Sequence, residues 1–345
     1  MVGPSEDFVQ RLRDERGAIR ESGQSSEVME EVVASLRVSL NVLGDQEALP
    51  ELSLVDAWQK LAVFSGHFDA LAAYSIFTDD QIADWSDQEE IARRSRVAAK
   101  ILSSLVSHSL IQAIEISEDD DVHFRFQVHD IFRDFAIGQI AENDWFELQL
   151  VCAQHFSNVL GQCDQLFLGH QNALIGLRLF DRERQQIEST WDRLNLIQAK
   201  ASRVDRLIAN LPLHGAYVLR IRLGTNVRAD WLREALSRSE SLDDSVLVAT
   251  NAGNLGNVLQ TRGDLDGAEE MYRKSLKINE ELGRKEGMAS DYGNLGIVLK
   301  TRGDLDGAKQ NWQKSVAFFR EIGAKNKIRL IEGWLDSLGD DEDGT

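Results

Sequence analysis

Eight residues occur twice in this chain in the same order: TRGDLDGA stands at Thr261–Ala268 and again at Thr301–Ala308. The offset is forty residues (Gly303 minus Gly263), and GNLG at 253–256 and 293–296 keeps it, so the repeating unit is about forty residues long. Within one unit, apolar residues fall at helical spacing twice, as Leu255, Val258 and Leu259 and then as Ala268, Tyr272, Leu276 and Ile278. TRGDLDG lies between the two runs, which makes the unit a helix, a turn and a helix. Gly263 suits a left-handed helix C-cap, Asp264 can cap the free amides of the next helix, and Ala268 lets the paired helices approach closely.

A small residue in the first helix, a Gly-containing turn, a small residue early in the second helix and an aromatic four positions later resemble the tetratricopeptide repeat. Gly256, Ala268 and Tyr272 fit that pattern, as do Gly296, Ala308 and Trp312. The usual unit is about 34 residues. The extra length around GRKEG resembles long-repeat relatives such as kinesin light chain. Forty residues earlier, Trp231, Leu232, Leu236 and Leu242 align with Met271, Tyr272, Leu276 and Leu282, without the turn signature. The expected order is a degenerate repeat at 210–247, repeats at 248–287 and 288–325, and a solvating cap helix with an acidic tail at 326–345, because a stack needs a terminal unit with a polar face.

The amino-terminal half has a different rhythm. Val32, Leu36, Leu40 and Leu43 predict a helix over 29–43. A second helix is expected from Leu54, burying Trp58, Leu61 and Phe64, and a third carries Ile91, Val97, Ile101, Leu102 and Leu105. LIQAIEI and VHFRFQV then flank SEDDD as a hairpin, with Val122, Phe124, Phe126 and Val128 expected inward and His123, Arg125 and Gln127 outward. Helices followed by a two-stranded hairpin predict a winged helix over 29–145. At LVSHSLIQ…FRFQVHDIFRDFA this region resembles the winged-helix subdomain of the signal-transduction ATPases with numerous domains (STAND), the NB-ARC group. There the hairpin ends in a hydrophobic residue followed by His-Asp, here Val128, His129 and Asp130, with Val in place of the usual Met. The resemblance implies that His129 senses the nucleotide's β-phosphate when an ATPase domain is supplied. It also implies that residues 1–28 are the last helix of a preceding ATPase subdomain and that 146–209 are a helical linker closed by Pro212. No Gly-x-x-x-x-Gly-Lys-Ser/Thr string occurs in this sequence, so no ATP hydrolysis by this chain alone is expected.

The expected fold class is therefore mostly α: a winged helix with a small β-hairpin, a helical linker and a TPR-like α-solenoid. A formal net charge of −19 repels phosphate backbones and anionic lipid surfaces. Arg93, Arg94, Arg96 and Lys100 on the third helix leave a second reading open, a winged-helix transcription regulator with the repeats as effector domain. The acidic hairpin tip, Glu118–Asp121, opposes it. Cys152 and Cys163 fit neither a disulfide framework nor a metal pair, and His108, His155, His170 and His214 show no ligand spacing. Neither a metal nor a cofactor of the chain's own is expected. The start MVGPSEDFVQRLRDERG lacks the apolar core of a signal peptide, which predicts a soluble, cytoplasmic chain. Asn254, Asn257, Gln260, Asn294 and Lys300 fall on the first helices of the repeats, which line the concave face. The tetratricopeptide family carries peptide-binding amides at positions like Asn254, Asn257 and Asn294. The expected chain is a non-enzymatic regulatory scaffold whose partners are a protein or peptide in the groove and a STAND ATPase domain in trans. Nucleic acid and membrane are not expected partners.

Overall fold

The computed structural model describes residues 46–82, 84–118, 121–169, 172–197 and 202–342, preceded by Leu36, Ser39, Leu40, Leu43 and Gly44. Residues 1–28 and most of the expected helix at 29–43 lie outside the described residues, as do Asp119, Asp120 and His170. The fold is mostly α, with fourteen helices and two small antiparallel sheets among the described residues. These form two compact units: one holds the described residues up to Gln165 with Leu174–Ile197, the other Leu166–Ala173 and those from Gln198 onward.

In the first unit, β1 (Glu47–Leu49) and β2 (Leu52–Ser53) lead into α1 (Leu54–Lys60), where Ser53 and Asp56 form a reciprocal capping box. Trp58, Leu61 and Phe64 are buried as expected. Helices α2 (Ala70–Thr78) and α3 (Gln88–Ser107) follow, then β3 (Gln112–Glu118) and β4 (Asp121–Gln127), paired in register from Gln112–Gln127 to Glu118–Asp121. Next come α4 (Asp130–Ile137), α5 (Glu142–Leu168) and α6 (Ala173–Leu196). Phe64 stacks on Phe68 at 4.2 Å, and Phe156 meets Phe64 edge-on.

The hairpin corrects one expectation. Phe126 and Val128 are buried, but Phe124 is 57% exposed and Arg125 is buried. The face of β4 that reads as solvent is covered by α6: Glu183 takes the Arg125 guanidinium in a two-pronged ion pair, and Arg125 Nη2 also donates to the His67 carbonyl at 2.9 Å. Phe124 sits one step toward the hairpin tip, beyond the packed base. A partner 58 residues away thus overrides local alternation.

The second unit begins with α7 (Ser202–His214), the short α8 (Ala216–Arg222) and α9 (Thr225–Ser241). Pro212 lies inside α7, which ends two residues later and runs across position 210. Then α10 (Ser245–Thr261), α11 (Leu265–Glu281), α12 (Lys285–Thr301) and α13 (Leu305–Glu321) are each seventeen residues long, and α14 (Lys325–Glu342) packs on α13. Helix starts recur every twenty residues, half the sequence repeat. At each junction a left-handed residue turns the chain: Asp243, Gly263, Gly283, Gly303 and Gly323, with φ between +53° and +84°. The next amide closes back on the preceding helix, as from Asp264 to the Leu259 carbonyl at 3.0 Å and from Arg284 to that of Asn279 at 2.9 Å. Asp264 and Asp304 cap α11 and α13 by accepting from Gly267 and Gly307. The extra residues of GRKEG are not a longer loop, because Lys285–Gly287 form the first turn of α12.

The first helix of each pair carries a glycine where the second lays its aromatic ring. A Cβ on Gly256 would stand 2.6 Å from the Tyr272 ring, and one on Gly296 would stand 2.2 Å from Trp312. Both aromatics are buried, so these glycines set the helix spacing. Gly296→Ala should therefore cost about 1–3 kcal/mol by overpacking. Gly333→Ala, on the exposed face of α14 with nothing within 4 Å, should gain about 0.5–1 kcal/mol of helix propensity. Urea unfolding of the two variants checks this, and equal effects would refute the close approach as the determinant.

Candidate functional site

The first helices of successive pairs, α7, α10 and α12, lie side by side, with α10 in contact with both neighbours. Two cavities open beside α10. One, of about 530 Å³, is lined by α7 through α10, including Arg220, Arg228, Trp231 and Gln260. The other, of about 600 Å³, is lined by α10, α11, α12 and the turn before α12, including Ser275, Asn279, Asp291 and Asn294. Asn254 and Asn257 border both. Each volume is in the range of pockets that hold small ligands or peptide side chains.

The amides divide into free and tied groups. Asn257 Oδ1 accepts from Asn294 Nδ2 at 3.1 Å, which links α10 to α12, and lies 2.9 Å from the Tyr272 hydroxyl. Gln260 Oε1 lies 2.7 Å from that hydroxyl, which has one proton to share between them. The Asn254 side chain has no hydrogen bond among the described residues, so its donors and acceptor face the cavities. Lys300 borders neither cavity and donates to Ser337 on α14 at 3.2 Å.

Below the second cavity lies a buried polar cluster that sequence reading passed over. Asp291 Oδ2 accepts from Asn279 Nδ2 at 2.8 Å and from Ser275 Oγ at 2.9 Å, and Asn279 Oδ1 accepts from Arg284 at 3.2 Å. Burial pushes the Asp291 carboxyl up to about 6, against the pull of its two hydrogen bonds and of Arg284. The forty-residue alignment held the signal, since Asn251 occupies the equivalent place one repeat earlier and is also buried.

Elsewhere the structure offers little chemistry. His129 is exposed at the N-cap of α4, 3.4 Å from the Ile131 amide. His108 caps the end of α3 through the Ser104 carbonyl at 2.8 Å. His155 is buried against Ser75, and burial holds it down to about 4. On α3, Arg94 is buried between Glu90 and Asp80 over the Tyr74 ring, and Arg93 is paired with Glu90, which leaves Arg96 and Lys100 exposed. Among the described residues no group of His, Cys, Asp or Glu could hold a metal ion, and no helix is long and apolar enough to cross a membrane. Cys152 and Cys163 are free and buried.

Residues 246–321 match the tetratricopeptide repeat family. The match covers α10 through α13. Comparison with curated proteins returns no match. Among solved structures, aspartyl phosphate phosphatase F from Bacillus subtilis is 13% identical with a TM-score of 0.39, over 84% of this chain and 81% of that one. A STAND protein with a tetratricopeptide repeat sensor from Pyrococcus horikoshii is 11% identical with a TM-score of 0.32, over 96% of this chain and 62% of that one. The PlcR protein of Bacillus thuringiensis, crystallised with a peptide and DNA, is 11% identical with a TM-score of 0.32, over 81% of this chain and 99% of that one.

Asp291 gives a pH prediction. Its carboxyl rises from an ordinary 3.8 to about 6 on folding, so the folded chain holds a proton that the unfolded chain has lost between those values. Stability is therefore favoured below about pH 4 and falls as pH rises through 6. Asp291→Asn, which copies Asn251, should stabilise the chain at pH 7.5 by about 1–3 kcal/mol and by much less at pH 4.5. Urea midpoints of native and variant protein at the two pH values measure the difference; a constant gap would assign Asp291 no proton linkage.

Proposed function

We propose that this chain is a non-enzymatic protein-interaction scaffold that takes an extended polypeptide in the groove along α10. The observation that carries this reading is the free amide of Asn254 between two cavities that also share Asn257. A side-chain amide can both donate to and accept from a peptide backbone without demanding a particular sequence, and the tetratricopeptide match at 246–321 supports a binding surface built from stacked helix pairs. Asn294 and Gln260 would extend that row to either side, while Lys300 would serve the packing of α14. Screening the full chain against an array of extended peptides tests the reading. Asn254→Ala should weaken the captured peptides about five- to tenfold, as expected for one lost pair of hydrogen bonds, with the circular dichroism unchanged. Asn257→Ala should weaken them further, and Tyr272→Phe, which removes only the internal bond, should leave binding within twofold. Equal affinity for native and Asn254→Ala protein would remove the amide from the site.

A finer proposal concerns residues 29–145, read as a winged helix that clasps a STAND nucleotide-binding domain supplied by a second chain. The exposed His129 ring, placed where β4 gives way to α4, supports it, since the ring is open to solvent among the described residues. The scaffold would then shift the partner's closed-to-open balance by its differential affinity for the two states. An ADP-dependent association with such a domain, measured by calorimetry, should weaken about tenfold in His129→Ala. Association that ignores both ADP and His129 would refute the clasp.

A further inference from the structure

The first cavity is cationic in an acidic chain. Arg220 on α8 and Arg228 on α9 line it, and no Asp or Glu does. Neighbouring arginines on α7 and α9 have acidic partners: Arg206 pairs with Asp244, Arg233 with Asp230, and Arg238 with both Asp205 and Glu234. Arg220 and Arg228 form no such ion pair among the described residues. Arg220 lies over the Tyr217 ring at 5.8 Å, and Arg228 is half-buried with its charge disfavoured, first by burial and then by Arg220, with no carboxylate to offset either. Two cations held together in a partly buried cavity repel each other, and an anion between them relieves both that repulsion and the lost hydration. A net charge of −19 makes this local reversal a specific feature rather than a consequence of composition.

Part of the lining is apolar. Tyr217 on α8 lines the cavity and is more than 40% exposed. Trp231 and Leu219 form part of the wall. Two arginines, one exposed and one half-buried, beside an apolar wall fit a ligand that carries a carboxylate next to a bulky aliphatic side chain.

From this we infer that the cavity between α7 and α10 is an acid-selective subsite of the peptide groove, in which Arg220 and Arg228 together hold a Glu or Asp side chain of the bound segment while its apolar neighbour rests on Tyr217. The inference rests on the groove reading above and adds the partner's chemistry. The segment enters past the α8 rim and continues over Asn254 and Asn257.

The test uses the full chain and three fluorescein-labelled nonapeptides: alternating Glu and Leu, alternating Gln and Leu, and alternating Glu and Ser. The Glu/Leu peptide should bind about tenfold or more tightly than the Gln/Leu peptide in fluorescence anisotropy, with an affinity that falls as salt is added. The Glu/Ser peptide should be weaker too, because it lacks the apolar contact. In the Arg220→Gln/Arg228→Gln double variant the Glu-over-Gln preference should shrink to about twofold or less, whereas Arg206→Gln, outside the cavity, should keep it. Glutamine keeps length and polarity, and matching circular dichroism and unfolding midpoints confirm that the variants fold. Equal binding of the Glu and Gln peptides to native protein, a preference that survives the double variant, or no binding of the Glu/Leu peptide at millimolar concentration would each overturn the acid subsite. If the Gln/Leu peptide binds as well as the Glu/Leu peptide but is lost in Asn254→Ala, the groove stands and the acid subsite falls; if neither depends on Asn254, the groove reading fails as well.

Discussion

The approach of Tyr272 to Gly256, and of Trp312 to Gly296, sets the dimensions on which the carboxyl-terminal unit depends. A ring laid against a backbone without a Cβ fixes how closely a first helix meets its second. Ala268 and Ala308, both fully buried, keep that spacing toward the turn. Once the spacing is fixed, a three-residue turn with one left-handed residue is enough to join helices of equal length. The same turn works between pairs as well as within them. The row of first helices, and the groove beside α10, follow from this repetition.

The first pair breaks the rule, and the break makes room. Forty residues before Gly256 and Tyr272 stand Ala216 and Leu232, and forty before Gly263 stands Leu223, which is extended at φ −103° and cannot make the left-handed turn. The chain instead inserts α8 between α7 and α9. That short helix brings Arg220 and Tyr217 to a place where the later pairs have only a turn. The departure from the repeat and the charge reversal of the first cavity thus occur together, where the glycine turn is lost.

Local rules were legible in the sequence, and long-range pairings were not. Gly263, Asp264 and Tyr272 could be assigned because caps and helix spacing depend on residues within a few positions of each other. The twenty-residue half-period was hidden because LGRK and RGDL share only the glycine that matters. Arg125 was misread because its Glu183 partner is 58 residues away; pairs of that kind are costly to break, at about 3–5 kcal/mol when one member is removed, yet leave no periodic trace. Of the candidate binding residues, Asn254 and Asn257 were suggested by their positions in the repeat and by the family resemblance, and both border the cavities. Arg220 was not, because α8 has no counterpart in the repeat against which to align it, and Arg228 was not, because the place forty residues on is the small Ala268.

The buried polar sites between successive pairs change character along the stack in a way that helps to fix its order. At one set of equivalent positions stand Asn251, Asp291 and Ile331, and at the set facing them Ser239, Asn279 and Phe319. The first two junctions are hydrogen-bonded, with Asn251 donating to Ser239 at 2.9 Å and Asn279 donating to Asp291 at 2.8 Å, whereas Ile331 and Phe319 share an apolar cluster. Exchanging neighbours would set Ile331 against Asn279, or Asp291 against Phe319, and leave a buried polar group without a partner at a cost of about 1–3 kcal/mol. Each helix pair therefore accepts its own successor more readily than another pair of identical shape. In a solenoid whose turns and glycines are nearly interchangeable, that chemical difference distinguishes one junction from the next. It also explains why the stack can tolerate a buried Asp291 whose carboxyl is pushed up to about 6: the same group helps to set the order of the pairs, and Arg284 and the two hydrogen bonds favour its ionised form.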